Sequence, residues 1–584
     1  MRVSVWAPKA ERVRVRISAP GRVATGEAAT TELDRDDEGW YSAEVDGAQP
    51  GDDYGFLLDD REELLPDPRS RRQPEGVHGP SRFYADDFDW SDHAWAGKDL
   101  PDSVFYELHV GTFTPAGTLI SAIDRLDHLA DLGITHVELL PVNDFNGQWN
   151  WGYDGVLWYA VHEAYGGPDA LKQFVDACHR RGLAVALDVV YNHLGPSGNR
   201  LPEFGPYFKE GRNTWGDLIN LDGESSGPVR QYILDNVAMW LSEFHVDALR
   251  LDAVHALHDT SDTHLLTEMA DRVQALSEEL ERPLVLIAES DLNDPVMITA
   301  RNAGYGIDAQ WDDDVHHALH ALLTGERQAY YVDFGPLSVL AKVLTHAFFH
   351  DGTYSTFRGA DHGKPVDREN TPGYRFVVCL QNHDQVGNRA YGDRLAALTS
   401  PGKLKVGAVV LLTSPFTPML WMGEEWATRT RWPFFTSHPE PDLAEATGKG
   451  RLAEFAGHGW DTTEMIDPQD PEAFFGAKLD WSEIVEPGHA SMLRLYRDLI
   501  RLRRALPELR DPRLDRVDVE FDEEAGWMTI RRGSLLVMAN LADVDQALPA
   551  PRGELVLATE PASTVRDDQA WLVAHSAIIA RTGI

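Results

Sequence analysis

Three acidic residues follow short apolar runs of the sequence, each at the point where a predicted strand ends. Asp252 follows ALRL, Glu289 follows LVLIA, and Asp384 follows FVVCL within QNHD. When parallel strands close into a barrel, their carboxyl ends meet at one mouth, where barrel enzymes build their active sites. Carboxylates brought together in this way supply acid–base and glycosyl chemistry. The pattern predicts a catalytic site made of Asp252, Glu289 and Asp384.

The strand before Asp252 also carries a positive charge toward that mouth. Side chains alternate along a strand, so Arg250 and Asp252 share one face of ALRLDAV, and the leucines between them face a helix layer. A buried arginine keeps a neighbouring carboxylate ionised. Glu289, at the end of an apolar strand, is instead placed to have a raised pKa and to act as a general acid. The alternatives are a structural ion pair for the first two residues and a surface position for Glu289.

Imidazole, acidic and aromatic side chains extend the predicted site. His193 follows a strand that carries Asp188, His383 precedes Asp384, and Tyr153 lies in WNWGYDG after the second predicted strand. Flat rings stack on pyranose faces, although most of the 17 Trp and 17 Tyr must be ordinary core residues. A zinc site is the alternative, but HxxxH and HxH spacings are lacking among these residues. We therefore expect no catalytic metal and no cofactor.

Strands and helices alternate through the middle of the chain, which indicates an α/β fold. Eight strand candidates alternate with helical spacing, as over 119–132, and predict a closed (β/α)8 TIM barrel with its extra residues in loops. The strand candidates span 103–110, 135–142, 183–190, 245–254, 283–290, 307–312, 375–384 and 417–425. The longest predicted loops lie near 192–228, 326–372 and 426–490.

Both ends of the chain have the pattern of all-β domains. Val13, Val15 and Ile17 alternate with arginines, and short apolar runs separated by turn residues predict an N-terminal β-sandwich over 1–90. VDVEF, WMTIRR, SLLVMANL and ELVLA predict a C-terminal all-β domain over 506–584. The barrel domain with its loop insertions then spans 91–505.

The composition excludes several classes of protein. The chain has 584 residues and a formal net charge of −41, from 53 Lys and Arg against 94 Asp and Glu. Nucleic acid and anionic lipid need clustered Lys and Arg, so we expect neither partner. No run approaches the roughly 20 apolar residues of a membrane helix, and the N-terminus lacks the apolar core of a signal peptide. Cys178 and Cys379 make no disulfide framework, so we expect buried thiols and a cytoplasmic protein.

Four ordered segments resemble the signature regions of the α-amylase family, glycoside hydrolase family 13. They are DVVYNH, ALRLDAVH, LIAES and QNHDQVGN, within a resemblance that covers about residues 100–500. The front domain resembles the carbohydrate-binding-like sandwich of glycogen-acting members. The resemblance implies a retaining glycoside hydrolase in which Asp252 is the nucleophile, Glu289 is the acid and then the base, and Asp384 binds sugar hydroxyls and distorts the ring.

The resemblance also implies a set of substrate-binding or orienting residues around these carboxylates: Arg250, His193, His383, Tyr153 and Asp188. Among them, Arg250 is expected to hold the nucleophile ionised. The two histidines are expected to bind hydroxyls of the cleaved sugar, and the tyrosine ring is expected to stack beneath that sugar.

Less general stretches resemble the members that release trehalose from the end of maltooligosyl-trehalose. They are NTWGDLINLDG, IAESDLND, AQWDDDVHHALHALLTGE and PMLWMGEEW followed by WPFFTSH. One departure is ESD, where Asn-Asp or a similar pair is expected after the glutamate; it lies beside the acid and leaves the chemistry unchanged. The implied partners are an uncharged α-glucan as substrate and a maltooligosyl-trehalose synthase acting upstream. Trp215, Glu424 and Glu425 are candidates for recognising the α,α-1,1 unit, with packing at the barrel rim as the alternative.

Two other functions are compatible with the same pattern. A 1,4-α-glucan branching enzyme shares the front domain and the four segments, and it would transfer the glycosyl group instead of hydrolysing it. A non-catalytic glucan-binding protein on an amylase-like fold is disfavoured because all three carboxylates are present. Free trehalose among the products would distinguish the hydrolase from both.

Overall fold

Eight parallel strands close into a barrel at the centre of the molecule. A computed structural model describes residues 1–21, 28–457, 459–463, 465–550 and 553–582. We number the barrel strands β1–β8: Phe105–Leu108, His136–Leu139, Ala184–Val189, Ala248–Leu251, Val285–Ala288, Ala309–Trp311, Phe376–Cys379 and Thr417–Trp421. Each strand pairs with the next, and β8 pairs with β1. The predicted (β/α)8 barrel is therefore confirmed, and each strand lies within its predicted segment.

Alternation along β4 separates the barrel interior from the helix layer, as predicted. Ala248 packs inside the barrel with Ile287, whereas Leu249 and Leu251 pack with the surrounding helices. Arg250, between the two leucines, has no exposed surface. The alternation thus places a buried cation on the inward face, directly before Asp252.

Helices cover the barrel between successive strands. The apolar spacing over 119–132 predicts one helix, but the structure has two, Leu119–Ile123 and Leu126–Leu132. Gly133 ends the second at φ 98°, a left-handed conformation that glycine adopts without a steric penalty. The other long helices of the barrel are Gly167–His179, Ser226–Ser242, Leu265–Glu279, Asp313–Thr324, Pro401–Thr413 and Pro487–Ala505.

The longest predicted loops carry secondary structure of their own. After β3, the strands Phe208–Arg212 and Asp217–Ile219 form a hairpin, and after β6 the helix Leu337–His346 precedes a second hairpin, Thr353–Ser355 with Ala360–His362. After β8, the chain forms the helices Pro441–Gly457 and Pro471–Phe475. Shorter elements in the barrel region are Val110–Phe113, Asn143–Asp144, Leu157–Val161, Leu201–Phe204, His383–Gly387 and Leu395–Leu398.

All-β domains flank the barrel on both sides, in agreement with the predicted fold class. The N-terminal domain has two sheets, made of Arg2–Trp6, Trp40–Glu44 and Asp34–Arg35, and of Ala29–Glu32, Val13–Ser18, Asp53–Leu58 and Ser81–Arg82. After the short helix Pro507–Arg510, the C-terminal domain has a five-stranded and a three-stranded sheet. Their strands are Val517–Asp522, Trp527–Arg532, Leu535–Asn540, Ser576–Thr582 and Gly553–Ala558, and Gln546–Pro549, Gln569–Leu572 and Thr564–Arg566.

The segment that leaves the N-terminal domain docks on the barrel through Arg69. Its guanidinium donates to the Tyr159 hydroxyl at 3.0 Å and to Asp235 at 2.9 Å. It also lies 5.3 Å from the ring centres of Tyr159 and Tyr232. This joint ties the N-terminal domain to the helix Ser226–Ser242.

Two further sequence expectations concern the cysteines and the membrane. Cys178 and Cys379 are buried and unbridged, as predicted. Within the described ranges, none of the helices combines the length and the apolar content needed to cross a membrane.

Candidate active site

The three predicted carboxylates lie at the carboxyl ends of barrel strands, on one face of the barrel. Asp252 follows β4, Glu289 follows β5, and Asp384 follows β7. Their side chains are 12%, 14% and 41% exposed, respectively. All three can therefore meet a ligand that enters the mouth.

Arg250 connects two of these carboxylates. Its Nη1 donates to Asp252 Oδ1 at 2.7 Å and to Asp188 Oδ2 at 2.8 Å, and its Nη2 lies 3.5 Å from Glu289 Oε2. The Trp311 ring stacks against the guanidinium at 4.2 Å. Burial alone would lower the pKa of Arg250, but the surrounding acidic groups outweigh burial and raise it. The guanidinium thus stays charged, and this one cation lies close to both Asp252 and Glu289.

The carboxylate of Asp252 is held by one donor on each oxygen. Oδ1 accepts from Arg250, and Oδ2 accepts from Asn192 Nδ2 at 2.8 Å. Charge-assisted hydrogen bonds of this kind favour the ionised form and fix its orientation. An oriented, ionised carboxylate is what a nucleophile at a sugar C1 requires.

Glu289 has the opposite environment. Ala253 adopts a left-handed backbone, φ 40°, which is unusual for alanine and aims its N–H at Glu289 Oε2 at 2.5 Å. Burial raises the pKa of Glu289 to about 8, against the opposing charge of Arg250. Because Oε2 already accepts from a backbone N–H, the proton of the neutral acid belongs on Oε1. The raised pKa thus favours the protonated form of Glu289 near neutral pH.

Tyr153 and His383 form a second layer beside the carboxylates. The Tyr153 hydroxyl donates to Asp188 Oδ2 at 2.6 Å and lies 2.8 Å from His383 Nε2. Burial raises the pKa of Asp188 to about 6. This residue is only 1% exposed, and it accepts hydrogen bonds from Tyr153 and Arg250. Tyr153 is half-buried, so part of the residue remains accessible to a ligand.

His193 and Trp215 lie together on another side of the mouth. Their rings stack with centres 5.9 Å apart, and 47% of Trp215 is exposed. Both nitrogens of His193 have partners, Asn192 Oδ1 at 2.5 Å and the Tyr153 carbonyl at 3.0 Å. His193 is thus placed to orient those two residues, while the face of Trp215 is open to a ligand.

Glu424 and Glu425 do not reach the mouth, which corrects the prediction that they contact substrate. They are 4% and 0% exposed. Glu424 accepts from the Tyr496 hydroxyl at 3.0 Å, and Glu425 contacts the Tyr106 hydroxyl at 3.2 Å and His128 at 2.8 Å. The turn after β8 folds both carboxyls under the helix Pro487–Ala505, so the barrel packs around them.

Sequence reasoning missed two residues of the site, Glu107 and Asn192. Glu107, on β1, accepts from His383 Nδ1 at 2.5 Å. A signal was available, because an acidic residue within FYEL shares the inward face of its strand with Phe105. Asn192 directly precedes the predicted residue His193 in YNH, and its role becomes visible only through its hydrogen bond to Asp252.

The arrangement combines an ionised carboxylate, a protonated carboxylic acid and a third, exposed carboxylate around one opening. A protonated acid beside an ionised carboxylate is the pair of groups that glycoside hydrolysis requires. Among the described residues, no group of three or more His, Cys, Asp or Glu side chains has a metal-binding arrangement.

Comparisons with known proteins point to the same chemistry. The family model "Alpha amylase, catalytic domain" matches residues 80–205, carbohydrate-binding module 48 (isoamylase N-terminal domain) matches 1–73, and a domain of unknown function, DUF3459, matches 512–579. The chain is 53% identical to the malto-oligosyltrehalose trehalohydrolase of Rhizobium sp. (strain M-11), over 99% of this chain and 97% of that protein. It is 56% identical to that of Arthrobacter ramosus, over 95% of each.

A solved structure described as a putative alpha amylase from Salmonella typhimurium is also similar to the chain. It superposes with a TM-score of 0.89 at 37% identity, covering 100% of this chain and 97% of that one. The likeness thus includes the barrel and both flanking domains.

Proposed function

The chain belongs to the malto-oligosyltrehalose trehalohydrolases of the α-amylase family, and we infer that it hydrolyses the α-1,4-glucosidic bond next to the terminal trehalose of maltooligosyl-trehalose. The products are trehalose and a maltooligosaccharide. The observation that carries this conclusion is identity above one half to trehalohydrolases over nearly the full chain. Asp252, Glu289 and Asp384 at the barrel mouth are the groups that we propose carry out the reaction.

For the individual residues we propose a retaining double displacement. Asp252 attacks C1 of the sugar on the non-trehalose side and forms a β-glycosyl-enzyme, while Glu289 passes its Oε1 proton to the glycosidic oxygen. Trehalose leaves as the alcohol. Glu289, now ionised, takes a proton from water, and that water attacks C1 from the face that trehalose left, which regenerates Asp252 and gives the α-anomer.

The remaining site residues position the sugar in this proposal. Asp384, with 41% of its side chain exposed, binds hydroxyls and favours the distorted ring of the transition state. Tyr153 stacks beneath the sugar, and His383 holds the Tyr153 hydroxyl in place. Arg250 and Asn192 keep Asp252 ionised and aimed.

We propose Trp215 as the residue that distinguishes trehalose from maltose at the leaving side. Its ring is open to the mouth and backed by His193. An exposed aromatic face recognises a sugar by shape, and the α,α-1,1 unit presents a different shape from an α-1,4 link.

The cellular setting is a further proposal. We propose a cytoplasmic enzyme that acts on the product of a maltooligosyl-trehalose synthase, because only a reaction of that class makes its substrate. We also propose that residues 1–90, 91–505 and 506–584 form the N-terminal, catalytic and C-terminal domains.

Incubation with maltooligosyl-trehalose and, separately, with plain maltodextrin tests the function. Product chromatography should show free trehalose from the first substrate and slow cleavage of the second. Chains with new branches and no new reducing ends would identify a branching enzyme. The absence of any product would identify a glucan-binding protein.

A further inference from the structure

His383 is held from behind by a carboxylate on another strand. Glu107, which is fully buried on β1, contacts the histidine twice: Oε1 accepts from the ring Nδ1 at 2.5 Å, and Oε2 accepts from the backbone N–H at 3.1 Å. The ring itself is 1% exposed. These two contacts fix both the position and the rotation of the imidazole.

The hydrogen bonds on the far side of the ring determine where its protons lie. Tyr153 has one hydroxyl proton, and it is given to Asp188 Oδ2 at 2.6 Å. His383 Nε2, 2.8 Å from the same hydroxyl oxygen, must then be the donor in that contact. Since Nδ1 faces a carboxylate oxygen, it must donate too, and a ring that donates from both nitrogens is an imidazolium.

The charged groups around the ring agree with this proton count. Burial alone would lower the pKa of His383, but Glu107 and Asp384 outweigh it and raise the pKa to about 9, against Arg250. The titratable and charged groups that face the ring from its own and neighbouring elements are Glu107, His109, Glu138, Tyr153, Asp188, Arg250 and Asp384.

We propose that Glu107 is a positioning residue that holds His383 as an imidazolium and thereby commits the Tyr153 hydroxyl proton to Asp188. The result is an alternating line of charges and donors, from Glu107 through His383, Tyr153 and Asp188 to Arg250 and Asp252. Glu107 thus acts on the sugar only through His383 and Tyr153, which are at the mouth. The kinetic test of this inference rests on the proposed function. The protonation state of His383 can be measured whether or not that function is correct.

The neighbouring strand offers a matched control. Glu138, on β2, lies directly across from Glu107 in the parallel register and is 1% exposed. Neither of its carboxyl oxygens has a hydrogen-bond partner among the described residues. Burial raises the pKa of Glu138 well above its ordinary value, so a neutral glutamine closely imitates it.

The test compares Glu107→Gln with Glu138→Gln. A glutamine amide has one acceptor oxygen, so in Glu107→Gln one of the two His383 contacts is lost together with the charge. A misplacement of about 1 Å in a catalytic site can cost on the order of 100-fold in rate, and we expect a loss of that order in kcat near pH 7. In the wild type, the alkaline limb of the kcat/KM profile is set by Glu289, with a pKa of about 8. In Glu107→Gln this limb should lie at least about one pH unit lower, because a buried imidazole without its carboxylate releases its proton before Glu289 does. Glu138→Gln should keep the limb of the wild type.

The proposal would be overturned if Glu107→Gln lost activity equally at every pH, with the alkaline limb of its kcat/KM profile unshifted. Unchanged activity in this variant would also overturn it. Nitrogen-15 NMR of histidine-labelled wild-type protein gives a readout that needs neither turnover nor a folded Glu107→Gln variant. At pH 7.5 both ring nitrogens of His383, assigned by their loss in His383→Asn, should be protonated; a neutral ring would overturn the proposal. Wild-type protein that released no trehalose, yet showed this imidazolium, would refute the proposed function alone.

Discussion

At the scale of single residues, the site depends on two carboxyls with opposite environments. Asp252 receives a donor on each oxygen, whereas Glu289 is buried and receives one backbone N–H. The two donors orient Asp252 for attack, whereas burial raises the pKa of Glu289 and favours its protonated form. This difference separates the nucleophile from the acid in the proposed mechanism.

The pKa of Glu289 predicts the alkaline limb of the pH profile. A general acid must be protonated, and burial raises the pKa of Glu289 to about 8. The value of kcat/KM should therefore hold from neutral pH and fall as the pH rises through about 8, since this ratio reports the free enzyme. Initial rates at low substrate concentration, between pH 5 and 10, measure it. A limb near pH 5 would show that Glu289 is ionised in the free enzyme.

Trp215→Ala tests the proposed recognition of trehalose. Removing the exposed ring should lower kcat/KM for maltooligosyl-trehalose by about 5-fold, as expected for the loss of an aromatic contact worth about 1 kcal/mol. Slow hydrolysis of plain maltodextrin should change less. Trp571→Ala is the matched control, because this tryptophan is similarly exposed, at 42%, but lies in the C-terminal domain. Equal losses on both substrates in Trp215→Ala would remove the selective role.

Asp252, Glu289 and Asp384 follow barrel strands, as predicted. Their positions could be predicted because the alternation of side chains along a strand, and the point where the strand ends, depend on the local sequence. Glu107 was missed because its partner His383 is 276 positions away in sequence. Glu424 was misplaced for a similar reason. Its partner Tyr496 lies 72 positions further on, and nothing in WMGEEW indicates that a helix will cover it.

At the scale of elements, Glu424 joins the end of β8 to the helix Pro487–Ala505. Its carboxyl accepts from Tyr496 at 3.0 Å, and burial raises its pKa from 4.5 to about 8. A carboxyl whose pKa rises on folding contributes stability below its unfolded pKa, and that contribution is lost as the pH rises through the folded value. The joint should thus weaken between pH 4.5 and 8.

Glu424→Gln tests this joint by thermal unfolding. The variant keeps a neutral, hydrogen-bonding group, so its melting temperature relative to the wild type should rise between pH 5 and pH 8.5. Its preference for trehalose-ended substrate should persist, because the side chain does not reach the mouth. Glu486→Gln, on an exposed position just before the same helix, should follow the wild type at both pH values. A relative stability independent of pH would contradict a neutral Glu424.

The elements themselves were predicted well where the pattern is regular. All eight barrel strands lie within their predicted segments, because buried apolar runs between helices are distinctive. The helix over 119–132 was predicted as one but is two, since apolar spacing continues across the break. In the C-terminal domain, four strands were missed: Gln546–Pro549, Thr564–Arg566, Gln569–Leu572 and Ser576–Thr582. The first three have only three or four residues, too few to show a period.

At the scale of the whole molecule, the N-terminal domain docks on the barrel through Arg69. We expect Arg69→Ala to lower the free energy of unfolding by about 2–3 kcal/mol, because hydrogen bonds to a charged, largely buried group are lost. Denaturant unfolding followed by tryptophan fluorescence measures it. Arg61→Ala is the control: its pair with Glu203 also joins domain to barrel, but the arginine is 59% exposed, so the loss should stay below about 1 kcal/mol. Equal losses would show that burial of Arg69 is unimportant.

For the whole molecule, the acidic net charge mainly indicates which classes of partner to exclude. A net charge of −41 disfavours nucleic acid and anionic membranes as partners and suits an uncharged glucan. Strand position, and not net charge, identifies the few carboxylates that we propose for catalysis.

Proton NMR of the fresh reaction mixture tests the central claim most directly, because one spectrum reads both the bond cleaved and its stereochemistry. With maltooligosyl-trehalose as substrate, the first minutes should show trehalose together with a new reducing end in the α configuration, before mutarotation mixes the anomers. That result is expected of a retaining hydrolase that uses Asp252 and Glu289. A β-anomer appearing first would contradict the double displacement, and α-reducing ends without trehalose would contradict the site of cleavage.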